Sequence, residues 1–359
     1  MKIALISTCW SKTPPTDGYG GTEWVVSYLA EQLVELGHDV TLFATGNSET
    51  KADKWYWYDE PTPDFLINDE IVHVTKAYEF IRQSNFDFIH NHTYHVGPAL
   101  LSLSDMPSVS TFHVGYHPKM VNFYKAFCNL HGMVSISLYQ QQLMPTINWV
   151  GNVHNSVNVA DFDFSAKKEE YLLFIGIIAE HKGPHLAIRA ARAFRRPLII
   201  AGPTREYARE FLEREILPYV DGDQIKYVGE VNFEQKVKLY KNASALLVPI
   251  SRDEPFGMVM IESLACGTPV IAFRKGAVPE IIVDGQVGFV VEEGDELVSA
   301  IQKLDRISPY KCRDHVEHNF NARGMAEKYL QMYEKVIRSH KGQKYIISRN
   351  RSIYPHWSF

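Results

Sequence analysis

The stretch Glu254-Pro-Phe-Gly-Met-Val-Met-Ile-Glu262 sets two carboxylates on either side of a glycine. Before it, Ala245–Ile250 reads as a strand, and Gly257–Ala265 reads as a helix. A loop carrying Glu254 therefore joins a strand end to a helix N-terminus. Such a terminus offers unpaired N–H groups and the positive end of the helix dipole, which suits a phosphate. Carboxylates beside it can accept hydrogen bonds from hydroxyls. The pair fits a ligand that carries both groups, as a nucleotide sugar does. Plainer roles fit as well: Glu262 facing solvent, and Glu254 capping the helix.

A second cluster is His90-x-His92-x-x-His95, with His113 and His117 downstream. Imidazoles bind metals, but no carboxylate or cysteine joins these at a recognised spacing. They are read as strand-end and loop histidines in a polar cleft, and no metal ligand is assigned.

Positioning these side chains requires a regular scaffold. Lys2–Ile6 is a short buried-strand run, followed by a Pro- and Gly-rich loop over Ser7–Gly21. From Thr22, a plausible N-cap, Val25, Val26, Leu29, Leu33 and Leu36 share one helical face, and Gly37 suits C′. Val40–Ala44, Phe86–Ile89, Ser108–Phe112, Val134–Ile136 and Val150–Val153 are further strand-like runs. After the polar stretch Asn158–Glu170 the pattern restarts. Tyr171–Ile178, Pro197–Ala201, Ile225–Val228, Ala245–Ile250 and Pro269–Phe273 read as strands. Pro184–Phe194, Arg205–Val220 and Phe233–Lys241 read as helices between them. Strands alternating with helices imply an α/β architecture, here two Rossmann-like halves with parallel sheets. A last helix, Asn321–Ile337, carries Met325, Tyr329, Met332, Tyr333 and Val336 on one face. It follows a completed second half and is expected to lie across the junction.

Composition agrees with this plan. The chain has 359 residues, 45% hydrophobic and 22% charged, which fits two globular domains. A net charge of −5 excludes a globally basic nucleic-acid binder. The apolar run Ile3–Ile6 is shorter than a signal-peptide core, and no stretch approaches a membrane span. The cysteines Cys9, Cys128, Cys266 and Cys312 are scattered, with no CxxC pair, which suggests a reducing compartment. The expected location is cytoplasmic. The tail from Ser339 to Phe359 is basic and aromatic, with no Asp or Glu. It reads either as a segment docked on its own protein or as a peripheral contact with anionic lipid at the inner membrane face.

The context of the two glutamates is more specific than the pair itself. Glu254-x7-Glu262, with Pro255-Phe256-Gly257 and then Ala265-Cys266-Gly267-Thr268-Pro269-Val270, resembles family 4 retaining glycosyltransferases. Three further stretches agree in order: Tyr19-Gly20-Gly21-Thr22-Glu23, Phe174-Ile175-Gly176 leading to Lys182-Gly183, and Gly276-Ala277-Val278-Pro279-Glu280 before Gly288-Phe289. The resemblance implies a GT-B fold, two Rossmann-like domains facing each other across a cleft, with a C-terminal helix crossing back. The corresponding bounds are 1–157 for the acceptor-side domain and 158–320 for the nucleotide-sugar domain. The returning helix is 321–338 and the tail 339–359.

By the same resemblance, Glu254 holds hydroxyls of the donor sugar and Glu262 the ribose hydroxyls of the nucleotide. Phe256, Gly257 and Met258 present backbone N–H groups to sugar and diphosphate. Lys182 neutralises the diphosphate, and Gly20 and Gly21 bring backbone close to it. His113 lies near the reacting sugar. No cofactor and no metal is implied beyond the donor substrate, whose base, UDP or GDP, residue identities do not distinguish. The acceptor is a carbohydrate, lipid-linked or small hydroxyl compound, expected near the Trp55–Tyr58 and His113–Lys119 loops. Asp161-Phe-Asp163 and Asp221-Gly-Asp223 match the Asp-x-Asp of metal-dependent glycosyltransferases, but composition alone yields about one such tripeptide in this length. Both lie in polar connecting segments and are set aside.

One position departs from the family pattern. An Arg usually follows the glycine equivalent to Gly176, and here Ile177 stands there. An apolar side chain cannot replace the bidentate grip of a guanidinium on phosphate. Arg205 and Arg252 are the candidate substitutes. The alternative reading is therefore a weakened or non-catalytic nucleotide-sugar-binding protein, and after it a sugar-nucleotide epimerase on a similar fold.

Overall fold

The computed structural model describes residues 1–15, 20–62, 66–115, 117–128, 131–292 and 294–351. Short, apolar-rich runs form most of the strands because both faces of each sheet are covered. The first sheet holds β1 (Lys2–Ile6), β2 (Asp39–Phe43), β3 (Asp53–Trp55), β4 (Phe88–Asn91), β5 (Ser108–Phe112), β6 (Gly132–Ser135) and β7 (Trp149–Asn152). The second holds β8 (Leu172–Ile175), β9 (Leu198–Ala201), β10 (Ile225–Tyr227), β11 (Ala245–Val248), β12 (Val270–Phe273) and β13 (Gly288–Val291). Every pairing is parallel, with Ile3 opposite Val40 and Phe88 in the first sheet, and Leu172 opposite Ala245 and Leu198 in the second.

The strand orders are β3-β2-β1-β4-β5-β6-β7 and β10-β9-β8-β11-β12-β13. Both reverse direction beside their first strand, between β1 and β4 and between β8 and β11. In such sheets the crevice beyond the strand C-termini at that reversal is where ligands bind. The loops after β1, β8 and β11 are the ones carrying Gly20, Lys182 and Glu254.

Between β7 and β8, Val157 forms a parallel bridge with Asn321, just ahead of the last helix. Val157 N–H donates to Phe320 O at 3.0 Å, and Ala322 N–H donates to Val157 O at 2.9 Å. The helix Ala322–Arg351 then packs against the helix Gly21–Glu35 and against β5 and β7. Its Tyr333 ring stacks on Phe88 at 4.4 Å, and its Tyr329 and Tyr333 hydroxyls bond to Thr111 and His90. The expected return to the first half is present, and the helix is longer than the expected Asn321–Ile337.

Other differences have local causes. Thr22 is not the N-cap: the helix starts at Gly21 behind Gly20, and Thr22 bonds instead to the Tyr94 hydroxyl at 3.0 Å. The single helix expected over Arg205–Val220 is broken. It begins as a 3-10 turn, widens to a π segment at Leu212–Ile216, and closes in a 3-10 turn carrying Pro218, which lacks the N–H that would continue an α-helix. Strands β3 and β13 were not expected, because Asp53–Trp55 is short and half polar and Gly288–Val291 follows a glycine-rich run. The last tail residues, 352–359, lie outside the described residues, as does Tyr19.

Candidate functional site

A cleft of about 1,120 Å³ opens between the two sheets. Gly20, Gly21 and His113 line it from the first half, and Lys182, Glu254, Phe256, Gly257, Met258 and Glu262 from the second. All nine expected site residues are thus brought to one cavity.

Glu254 and Lys182 form its centre. Lys182 Nζ lies 2.7 Å from Glu254 Oε2, with the side chains 28% and 16% exposed. Their backbones are locked by glycine at two close approaches. A Cβ on Gly183 (φ +78°) would fall 2.1 Å from Pro249 O, and a Cβ on Gly276 (φ +60°) would fall 2.2 Å from Glu254 O. Only glycine lets those loops pass so near in a left-handed conformation. Ala277 N–H then donates to Glu254 O at 2.9 Å, so the Gly276–Glu280 run clamps the glutamate loop.

Glu254 is not a helix cap. The N-cap of Met258–Ala265 is Gly257, with no side-chain cap bond, so the first N–H groups of that helix stay available at the cleft. Glu262 does not face solvent. It is buried, with Lys236 Nζ at 2.9 Å from Oε1 and the Tyr240 hydroxyl donating to Oε2 at 2.9 Å. A carboxylate has about four acceptor sites, so each oxygen keeps a lone pair for a ligand hydroxyl.

On the first-half side, Gly21 approaches the second half: a Cβ there would stand 3.7 Å from Met258 Cγ. Trp24 packs on Phe233 at 4.7 Å between ring centroids, joining the two walls. His113 Nε2 is 2.8 Å from His92 Nδ1, and burial pushes the His113 imidazole down to about 3. Burial also drives His90 and His92 well below the usual histidine range. These rings do not converge on a metal position. His90 is bonded on both nitrogens, to Tyr333 and Thr111, and His95 turns to Glu70. Among the described residues no group of three or more His, Cys, Asp or Glu is arranged to hold a metal ion. Neither Asp-x-Asp lines the cleft: Asp163 pairs with Lys241, and Asp221 accepts backbone N–H groups of its own turn.

Several cleft residues were not singled out as site residues. Trp10 stacks on Tyr94 at 5.4 Å, and both line the first-half wall. Glu23 sits there with its pKa raised by burial, accepting a bond from Thr8. Asn155 lines the cleft with a buried Oδ1 that has no hydrogen-bond partner. A lone Trp or Asn in a loop carries no spacing signal, so only the tertiary structure gathers them. The Trp55–Tyr58 loop, by contrast, does not line the cleft: Trp55 packs on Phe43 and Phe80, and Tyr56 and Trp57 are about half exposed elsewhere. Of the following stretch, His113 lines the cleft and Tyr116 lies outside the described residues. Ile177 lines the cleft, as does Arg205, whereas Arg252 does not.

Both halves of the chain match known protein families. Residues 160–319 match the family model described as Glycosyl transferases group 1, and residues 19–142 match Glycosyltransferase Family 4. An uncharacterised glycosyltransferase of Methanocaldococcus jannaschii is 25% identical, covering 92% of this chain and 94% of its own. The crystal structure of AviGT4, a glycosyltransferase involved in avilamycin A biosynthesis, superposes with TM-score 0.72 at 25% identity, over 94% of this chain and 98% of that one. HepE of Anabaena, in complex with UDP and glucose, has the same fold with TM-score 0.73 at 16% identity, over 93% and 100%.

Proposed function

The chain belongs to the family 4, or group 1, glycosyltransferases, a retaining family, and from that premise we propose that it moves a hexosyl group from a nucleoside diphosphate sugar to a hydroxyl acceptor in this cleft, without a metal ion. The observation that carries the proposal is the Lys182–Glu254 pair, at 2.7 Å, beside the open N-terminus of Met258–Ala265. Lys182 and the helix N–H groups supply positive charge to the departing diphosphate. Glu254 and backbone N–H groups of Phe256, Gly257 and Met258 hold the donor sugar, and Glu262 holds the ribose.

The bond between the anomeric carbon and the diphosphate oxygen breaks as the acceptor oxygen attacks from the same face. The acceptor proton passes to the leaving phosphate oxygen, so no protein base is assigned. Closure of the two halves excludes water and limits donor hydrolysis. The acceptor sits against the first half, where Trp10 and Tyr94 offer a stacked aromatic surface suited to a sugar face. We place the working boundary between donor and acceptor halves near residue 157, and the protein in the cytoplasm. Among the described residues no helix is long and apolar enough to cross a membrane.

Incubation with UDP-, GDP- and ADP-sugars, followed by release of nucleoside diphosphate, tests this. UDP-glucose is the first donor to try, given the UDP and glucose held by HepE. Failure to bind or turn over any donor removes the reading. Ile177 in the cleft wall favours one alternative, a nucleotide-sugar-binding protein with weak catalysis. Ile177→Arg separates the two: a gain of about 30-fold or more in kcat identifies a weakened enzyme, and a donor bound without turnover by either form identifies a binding protein.

A further inference from the structure

We infer that His92 is a positioning residue: its Nδ1–H, donated to Nε2 of His113, holds the His113 ring as the tautomer whose proton is on Nδ1, the nitrogen left for the cleft. The inference extends the proposed function to a residue outside the cleft lining.

The two rings are linked by one hydrogen bond, His92 Nδ1 to His113 Nε2, at 2.8 Å. One of the two nitrogens must carry the proton. Burial keeps both rings neutral, so each has a single N–H to place.

The partners available to His92 decide which. Its Nε2 is buried with no hydrogen-bond partner. The neighbouring His90 ring, 4.0 Å away between centroids, cannot serve it, because both His90 nitrogens are engaged by Tyr333 and Thr111. If His113 were the donor, His92 would carry its own proton on Nε2 and bury an N–H with no acceptor. Orphaned buried N–H groups are rarer than orphaned acceptors. His92 is therefore protonated on Nδ1, and its Nε2 is a bare lone pair. His113 accepts on Nε2 and carries its proton on Nδ1, which among the described residues makes no hydrogen bond.

The consequence is chemical. His113 presents a neutral N–H donor to the cleft, able to bond a hydroxyl of the donor sugar. A protonated imidazole there would oppose the positive charge that develops at the anomeric carbon. A neutral donor orients the sugar without that penalty. Histidines whose second nitrogen is fixed by a buried partner hold tautomer and ring orientation together.

The test uses the full chain labelled with 13C,15N-histidine and a long-range 1H–15N correlation spectrum at neutral pH. His113 signals are assigned by their loss in His113→Gln. The expected wild-type spectrum shows His113 protonated at Nδ1 and bare at Nε2. In His92→Leu the His113 proton moves predominantly to Nε2. In that variant kcat falls roughly ten- to hundred-fold, as for other outer partners of a functional histidine, while donor KM stays within about twofold. His92→Asn, whose amide N–H can stand where Nδ1 stood, recovers both the tautomer and most of the rate. A wild-type His113 protonated at Nε2 overturns the inference, whether or not any variant folds. So does an unchanged tautomer in a folded His92→Leu. Titration of the same sample with UDP reads the nucleotide-sugar proposal separately, because the tautomer is measured before ligand is added.

Discussion

The two sides of the cleft treat their most buried ionisable groups differently. The second-half wall keeps ion pairs, Lys182 with Glu254 at 2.7 Å and Lys236 with Glu262 at 2.9 Å. The first-half side keeps its histidines uncharged: His113 in the wall and His90 and His92 behind it all have pKa values driven down by burial. A charge withdrawn from water is tolerable only when paired and hydrogen-bonded, and otherwise the group neutralises. Under the proposed chemistry, the wall with cations faces the departing diphosphate. The neutral histidine cluster, through His113, faces the centre where positive charge develops.

The contrast breaks first under acid. The first half contains His73 with a pKa near 4, His113 and His131 near 3, and His90 and His92 well below the usual value. Unfolded histidine titrates near 6.5, so below that pH the unfolded chain binds more protons than the folded one. Stability is therefore full above about pH 6.5 and falls as pH drops toward 4, each histidine contributing about 1.4 kcal/mol per pH unit. A typical 5–15 kcal/mol of stability is consumed within roughly two pH units. Hydrogen exchange at mildly acidic pH should show the first sheet opening before the second. Equal opening of both halves would contradict the contrast.

Cutting one buried ion pair is the next largest effect. Lys236 and Glu262 are 5% and 6% exposed, so Lys236→Met strands a buried carboxylate and should cost about 3–5 kcal/mol in denaturant unfolding. The double variant Lys236→Met/Glu262→Leu should recover most of that stability but not nucleotide affinity. Glu254→Gln acts on the reaction instead. Loss of charge-assisted contacts in the transition state should lower kcat by roughly 30- to 1000-fold, about 2–4 kcal/mol, whereas Glu262→Gln should mainly raise donor KM. Wild-type kinetics in both would remove the site assignment. The smallest effect is on stability at the open pair. Lys182→Met, at 28% exposure, should change unfolding free energy by less than about 1 kcal/mol while depressing kcat.

Much of this architecture was legible without coordinates. Buried parallel strands advertise themselves as continuous apolar runs, as Ile3–Ile6 and Ala245–Val248 do. Short or half-polar strands do not: Asp53–Trp55 acquires its strand from pairing with β2, a contact no local pattern encodes. The loop motifs were legible for the same reason as the strands. Glycines at Gly183 and Gly276, and the fixed spacing from Glu254 to Glu262, are local demands of backbone geometry and helix pitch.

What depends on distant chain segments was settled only by the fold. The sequence by itself determined two doubly wound halves, the loops at their strand ends, and the carboxylates and lysine those loops carry. It held no record that Lys236 and Tyr240 would take both oxygens of Glu262, or that His92 would meet His113 across neighbouring strands. Nor did it show that Tyr333, 243 residues downstream, would close the His90 network. Propensity and periodicity act within a turn or a strand, whereas burial, protonation state and hydrogen-bond partnership are set by whatever packing brings into contact. That is why the ion-paired wall could be read from its motif, and the neutral histidine cluster only from its surroundings.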